Sequence, residues 1–149
     1  MGALIAIGAT RVYLDANIFI YWLEDDPSFG DRVAEVFGAI QRNQLQSVTS
    51  ELTLAEVLVK PFADRNTARQ RAYERILSAA SPVQIAPIDR AVLTEAARLR
   101  AATRLPLADA IHIATAQLTG CGCFLSNDRR LANLSPLRVV SLRQLAVES

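Results

Sequence analysis

Short β-branched runs alternate along this chain with longer stretches whose apolar residues recur every three or four positions. Residues 11–14 form the first short run and predict a strand ending at Asp15. Ile18, Phe19, Tyr21, Trp22 and Leu23 then read as a strongly apolar, buried helix. Pro27 separates it from a second helix over residues 28–41, where Val33, Val36, Phe37 and Ile40 keep helical spacing. A second strand is expected over 46–49, followed by a helix to about Lys60 that Pro61 closes. Residues 64–79 are amphipathic, with Arg65, Arg69, Arg71 and Arg75 on one side and Tyr73, Ile76 and Leu77 on the other. A third strand covers 82–88, and Asp89 caps a helix running to about Thr103. Pro106 opens another helix that ends near Gly120. Residues 123–126 predict a fourth strand, 128–133 a short helix and 137–140 a fifth strand. There is no repeat, linker or low-complexity stretch.

Strands separated by helices argue for an α/β fold with a parallel sheet. The length of 149 residues argues for one domain. Residues 1–10 read as a tail or an extra strand and 11–149 as the domain proper. In such sheets ligands bind beyond the carboxyl ends of the strands. Four acids are expected at that edge: Asp15 and Asp128 at strand ends, Glu56 and Asp109 in the first turns of helices. Each lies in apolar sequence, where a carboxylate finds a partner or shifts its pKa. Two carboxylates ~4 Å apart repel by ~4 kcal/mol at an effective dielectric near 20. Four converging on one cleft therefore call for a divalent cation, and Mg²⁺ is commonly held by carboxylates together with substrate phosphates.

Each acid also has a local reading. Asp15 can cap the helix that follows it. Thr53 and Glu56 have capping-box spacing. Asp109 stands where a helix dipole favours an anion, and Asp128 can cap a helix starting at Arg129. None of these local roles explains why all four acids should share one edge.

Composition narrows the chemistry further. A formal net charge of +1 names no partner. Lys60 is the only lysine beside fifteen arginines. That bias fits either coding composition or bidentate phosphate contacts. Cys121 and Cys123 are too close for a good disulfide and, with the single His112, too few for structural zinc. They read as small buried residues in a reducing compartment. His112, one turn after Asp109, reads as a satisfied, partly buried histidine that can hydrogen-bond near the site. The apolar start at residues 1–9 lacks a basic region, and no membrane-spanning run follows. A cytoplasmic location with no membrane partner is therefore expected. One histidine without a Gly-x-Ser-x-Gly elbow argues against a hydrolase triad, and the absence of Gly-x-x-x-x-Gly-Lys argues against a P-loop.

The segments around the acids resemble the motifs of PIN-domain nucleases, and among them the VapC-type toxins of toxin–antitoxin pairs. Tyr13-Leu14-Asp15-Ala16-Asn17 is similar to the family's first strand and leading acid. Leu54-Ala55-Glu56 resembles the second motif, and Leu105-Pro106-Leu107-Ala108-Asp109-Ala110-Ile111-His112 the third, which is the most specific string. Phe124-Leu125-Ser126-Asn127-Asp128 resembles the fourth, and no acidic position is missing. The resemblance implies a five-stranded parallel sheet flanked by helices on both faces. It also implies a divalent-metal-dependent ribonuclease, usually a homodimer, paired with a cognate antitoxin that blocks the acidic cleft. Asp15, Asp109 and Asp128 would then hold Mg²⁺ or Mn²⁺, with Glu56 binding directly or through water. Asn17 and Ser126 would orient the carboxylates, and Arg129 and Arg130 would meet the RNA. The alternatives are a PIN nuclease outside any toxin pair, acting in RNA processing or on DNA, and a non-catalytic metal- or partner-binding module.

Overall fold

A computed structural model describes residues 7–134 and 136–145. Its strands are β1 (Arg11–Leu14), β2 (Gln46–Ser50), β3 (Gln84–Ala86), β4 (Cys123–Leu125) and β5 (Val139–Val140). They form one parallel sheet in the order β3-β2-β1-β4-β5. The helices between them are α1 (Ala16–Leu23), α2 (Gly30–Gln41), α3 (Glu51–Ala63), α4 (Thr67–Ile76), α5 (Arg90–Ala102), α6 (Leu107–Leu118) and α7 (Leu131–Leu134), with a 3-10 turn at Leu142–Gln144. The fold is the expected α/β arrangement, with five parallel strands and helices on both faces.

Strand alternation builds two cores. Val12 and Leu14 of β1, with Cys123 and Leu125 of β4, face α1–α4. Tyr13, Val48, Ala86 and Phe124 face α5 and α6 on the other side. Tyr13 stacks on Phe124 with ring centroids 4.8 Å apart. β1 is central, so burial on both faces demands apolar side chains at successive positions, and Val12, Tyr13 and Leu14 are all fully buried. Gly122 lets the chain pass close before β4: a Cβ there would lie 2.7 Å from the Cβ of Ala9.

The chain leaves β1 toward β2 and β3, then returns to lay β4 on the other side of β1. The strand order therefore reverses between β1 and β4, where open α/β sheets form their binding crevice. Asp15 directly follows β1, and Ser126 directly follows β4. Leu14 pairs in register with Leu125, so the two residues leave the sheet side by side.

Several boundaries differ from expectation. Pro61 does not close α3, which runs on to Ala63 with Pro61 buried inside it. In the last turn proline forfeits only one backbone bond, and the turn ends when Asp64 and Arg65 donate back to Lys60 and Phe62. Arg65 then takes a φ of 53°, so α4 begins at Thr67 behind an Asn66 cap rather than at Asp64. β3 and β5 are shorter than expected, and α7 starts at Leu131 rather than at Asp128. Of the segment before Arg11, residues 1–6 lie outside the described residues, and Ile7 is buried in the α1–α4 core.

Candidate active site

Asp15 is built into the end of β1 by its own backbone. Its N–H donates to the Leu125 carbonyl at 3.1 Å, carrying the β1–β4 ladder one residue past the strand. Its extended backbone makes it the N-cap of α1, and Oδ1 accepts the Ala16 N–H at 2.8 Å. Oδ2 accepts the Ser126 hydroxyl at 2.6 Å. The same hydroxyl accepts the Asp128 N–H at 3.1 Å. One buried serine thus orients the first carboxylate and shapes the turn that carries the last.

Asp128 does not cap a helix at Arg129. Its Oδ1 accepts the Arg130 N–H at 3.0 Å, the turn that this residue type commonly makes with the backbone two positions on. The Arg130 guanidinium closes back on it as a fork, Nε to Oδ1 at 3.1 Å and Nη2 to Oδ2 at 2.6 Å. Nη2 also lies 3.7 Å from Asp109 Oδ2. Asp109 is the third residue of α6 and makes no side-chain cap bond, although the positive end of the helix favours an anion there.

Glu56 stands in the second turn of α3, one turn later than expected. The capping box is absent because Ser50 caps the helix, accepting the Leu52 N–H at 3.0 Å. Thr53 instead shares a 2.7 Å hydrogen bond with Thr49, whose hydroxyl lies 2.8 Å from the Leu14 carbonyl. Glu56 Oε1 lies 2.5 Å from His112 Nε2, and the Tyr13 hydroxyl 2.5 Å from His112 Nδ1. His112 is fully rather than partly buried.

The charges at this edge are undercompensated. Burial pushes the Asp15 carboxyl up, and Glu56 adds to the shift, while His112, Ser126 and the Ala16 N–H oppose it. Burial also raises Asp109, followed by the charge of Asp15, with Asp128 adding and Arg130 opposing. Asp128 moves the other way because Arg130 hydrogen-bonds its carboxylate. Glu56 thus acts on Asp15, and Asp15 and Asp128 act on Asp109, at the carboxyl edge of the sheet.

Residues 12–136 match the sequence pattern of the PIN domain. The chain belongs to the PIN-domain family. A PIN domain implies nuclease chemistry, and nucleases of this family generally use divalent metal ions. No curated protein sequence matches the chain. Among solved structures it is similar to a toxin–antitoxin complex from Klebsiella pneumoniae, at 25% identity and a TM-score of 0.64, covering 88% of this chain and 97% of that one. It is also similar to VapBC2 from Rickettsia felis bound to a DNA fragment from its promoter (14% identity, TM-score 0.69, 88% and 98% covered). A third is FitAcB from Neisseria gonorrhoeae (18% identity, TM-score 0.67, 89% and 98% covered).

The donor set of this PIN domain fits a hard divalent ion. Carboxylate oxygens dominate it, and two of the carboxyls are raised by burial and by neighbouring acids. Among the described residues no three His, Cys, Asp or Glu groups close into a ready-made cage. Mg²⁺ does not require one, since it usually takes one or two carboxylates and keeps waters or phosphates. Arg130 is the cation that bridges Asp109 and Asp128 in this structure.

The other expected participants divide. Ser126 touches both Asp15 and the Asp128 backbone. Asn17 bonds none of the four acids among the described residues, and its buried Oδ1 has no partner. Arg129 is exposed, and Arg130 is engaged with the acids. The sequence pattern does not single out Tyr13 as a site residue, although strand alternation puts it on the side of β1 toward which the next-but-one residue, Asp15, would point. At the opposite edge, a concavity of about 480 Å³ lined by Arg11, Asn43, Gln46 and Gln84 carries no carboxylate.

Proposed function

We propose that this PIN domain is a divalent-metal-dependent endoribonuclease, the VapC-type toxin of a type II toxin–antitoxin pair. The observation that carries the reading is that Ser126 links Asp15 to the Asp128 turn and Arg130 links Asp128 to Asp109 at the β1–β4 edge, with Glu56 held by His112 nearby. Bound Mg²⁺ or Mn²⁺ would supply a water of lowered pKa and would neutralise charge on the scissile phosphate. Asp15, Asp109 and Asp128 are its proposed holders, and Glu56 joins them directly or through water. The chain's own groups do the rest. Ser126 keeps Asp15 in one orientation through a 2.6 Å bond. A carboxylate at this edge can orient or accept a proton from the attacking water. Arg130 carries a fork that matches phosphate as well as carboxylate, and exposed Arg129 beside it adds positive charge to a rim that must attract RNA.

The resemblance to toxin–antitoxin complexes supports an antitoxin as partner. An apolar concavity of about 480 Å³ lined by Trp22, Leu23, Ala72 and Ile76 offers such a partner a seat on the helical arm. Exposed Val59 and Phe62 on α3 suit a homodimer contact. No helix among the described residues is long and apolar enough to cross a membrane.

A panel of defined RNAs incubated with and without EDTA tests the reading, beside Asp15→Asn and Asp109→Asn. Cleavage should require the metal and vanish in both folded variants. Normal cleavage by both would refute the acidic site. Co-purification of the product of an adjacent small gene separates a toxin from a PIN nuclease of RNA processing.

A further inference from the structure

We propose that His112, held by Tyr13, is a positioning residue that aims Glu56 at the acidic edge. The proposal rests on the metal-nuclease reading and assigns a role to a side chain which that reading leaves unused. His112 is the chain's only histidine. It is 1% exposed, and both ring nitrogens have partners at 2.5 Å.

The chemistry of the partners sets the direction of the chain. An ionised Glu56 only accepts, so Nε2 carries the hydrogen and donates it. In the neutral ring Nδ1 then holds a lone pair, which accepts the hydroxyl of Tyr13; in the imidazolium Nδ1 donates to the Tyr13 oxygen instead. A phenol is protonated at neutral pH and can donate or accept, so Tyr13 suits either state of the ring. The reverse tautomer would set an imidazole lone pair against a carboxylate oxygen. In either state Nε2–H points at Glu56, so the Tyr13–His112–Glu56 relay fixes the direction of that last bond.

Two observations tie it to the site. Asp109 and His112 are three residues apart on α6 and share a face, so one helix supplies a carboxylate and the support of another. Glu56 also belongs to the other layer: its neighbours Val57 and Leu58 pack in the α1–α4 core, whereas α6 packs in the opposite one. The Glu56–His112 bond thus spans the two layers at the carboxyl edge of the sheet. Oε2 of Glu56 has no hydrogen-bond partner among the described residues, its side chain is 35% exposed, and its charge reaches Asp15. Ser50 already caps α3, so Glu56 has no capping duty there.

The test reads binding and tautomer rather than turnover. Because the chain has one histidine, long-range proton–nitrogen NMR reports its tautomer without assignment, and the Nε2–H form is expected. In calorimetric titration with Mn²⁺, His112→Leu and Glu56→Gln should each weaken binding by ~10-fold. The double variant should bind no worse than Glu56→Gln alone, because His112 acts through Glu56. His112→Gln, which keeps an N–H at the far end of the side chain, should recover most of the loss. Wild-type affinity in folded His112→Leu, losses that multiply in the double variant, or an Nε2 that carries no hydrogen would each overturn the proposal. If His112→Leu does not fold, Tyr13→Phe decides. It should weaken Mn²⁺ binding and mix the tautomers, and unchanged values for both would refute the relay. A wild-type protein that binds no Mn²⁺ would remove the metal reading itself. Wild-type binding left intact by His112→Leu would remove this inference alone.

Discussion

Ser126→Ala removes one methylene-borne hydroxyl and two hydrogen bonds. The first, 2.6 Å to Asp15 Oδ2, is charge-assisted and corresponds to ~1.5–3 kcal/mol. The second, 3.1 Å from the Asp128 N–H, leaves a partly buried donor without its acceptor, at ~1 kcal/mol or more. Asp15 has an escape, because protonation relieves the charge that Ser126 stabilises. The loss must therefore depend on pH. Asp15 is already raised from its ordinary value by burial, and Ser126 opposes that shift. Removing the hydroxyl raises the folded pKa further. Between the wild-type and variant folded pKa values the variant holds an extra proton in the folded state. Its stability relative to wild type therefore falls as pH rises through that window and levels off above it. Urea unfolding in EDTA at pH 5 and pH 8 should give a loss of ~2.5–4 kcal/mol at pH 8, or ~5–16 °C in Tm for a domain of this size, and a smaller loss at pH 5. A loss below ~0.5 kcal/mol, or one that does not change with pH, would refute the reasoning.

Arg130→Met removes the guanidinium that bridges Asp109 and Asp128. Calorimetry should show Mn²⁺ binding severalfold tighter without RNA, and the salt dependence of RNA binding should lose a slope of about 1. Asp89→Ala deletes the cap of α5, far from the acids in sequence, where Oδ1 accepts the Val92 N–H at 3.0 Å. Chemical unfolding should register ~1 kcal/mol while RNA cleavage by the folded protein stays unchanged. Thr49→Val breaks the buried hydroxyl contacts to Leu14 and Thr53 and should destabilise by ~1–3 kcal/mol, because Thr53 loses its partner. Asp109→Asn should raise the Tm of the metal-free protein at pH 8, since it removes a charge that Asp15 and Asp128 both oppose.

Much of this architecture is legible in the residues. The β-branched run before Asp15, the Asp89 cap and Pro106 at the start of α6 are local signals, and each stands where its chemistry requires. The acids at the β1 and β4 ends follow from strand boundaries and the switch-point rule. Glu56 was harder to place. Thr53 and Glu56 have capping-box spacing, yet Ser50 both ends β2 and caps α3, so the helix begins three residues earlier and Glu56 falls in its second turn. Pro61 misled in a similar way, because a proline in a last turn need not stop a helix. His112 could be placed near Asp109 by spacing alone. Its partners could not, because Glu56 and Tyr13 lie 56 and 99 residues away in sequence and meet it only when both layers pack on the sheet. Sequence position places Arg130 on an RNA-facing rim, and only the turn at Asp128 brings its guanidinium back onto the acids.

The account's central claim is that this acidic edge hydrolyses RNA with a divalent ion. Its most direct test is the initial rate of cleavage of one labelled RNA against Mn²⁺ concentration, for wild type and Asp109→Asn. The account predicts a saturable rise from no cleavage in EDTA for wild type, and a flat line near zero for the folded variant. Undiminished cleavage in EDTA, or a wild-type curve from Asp109→Asn, would contradict it.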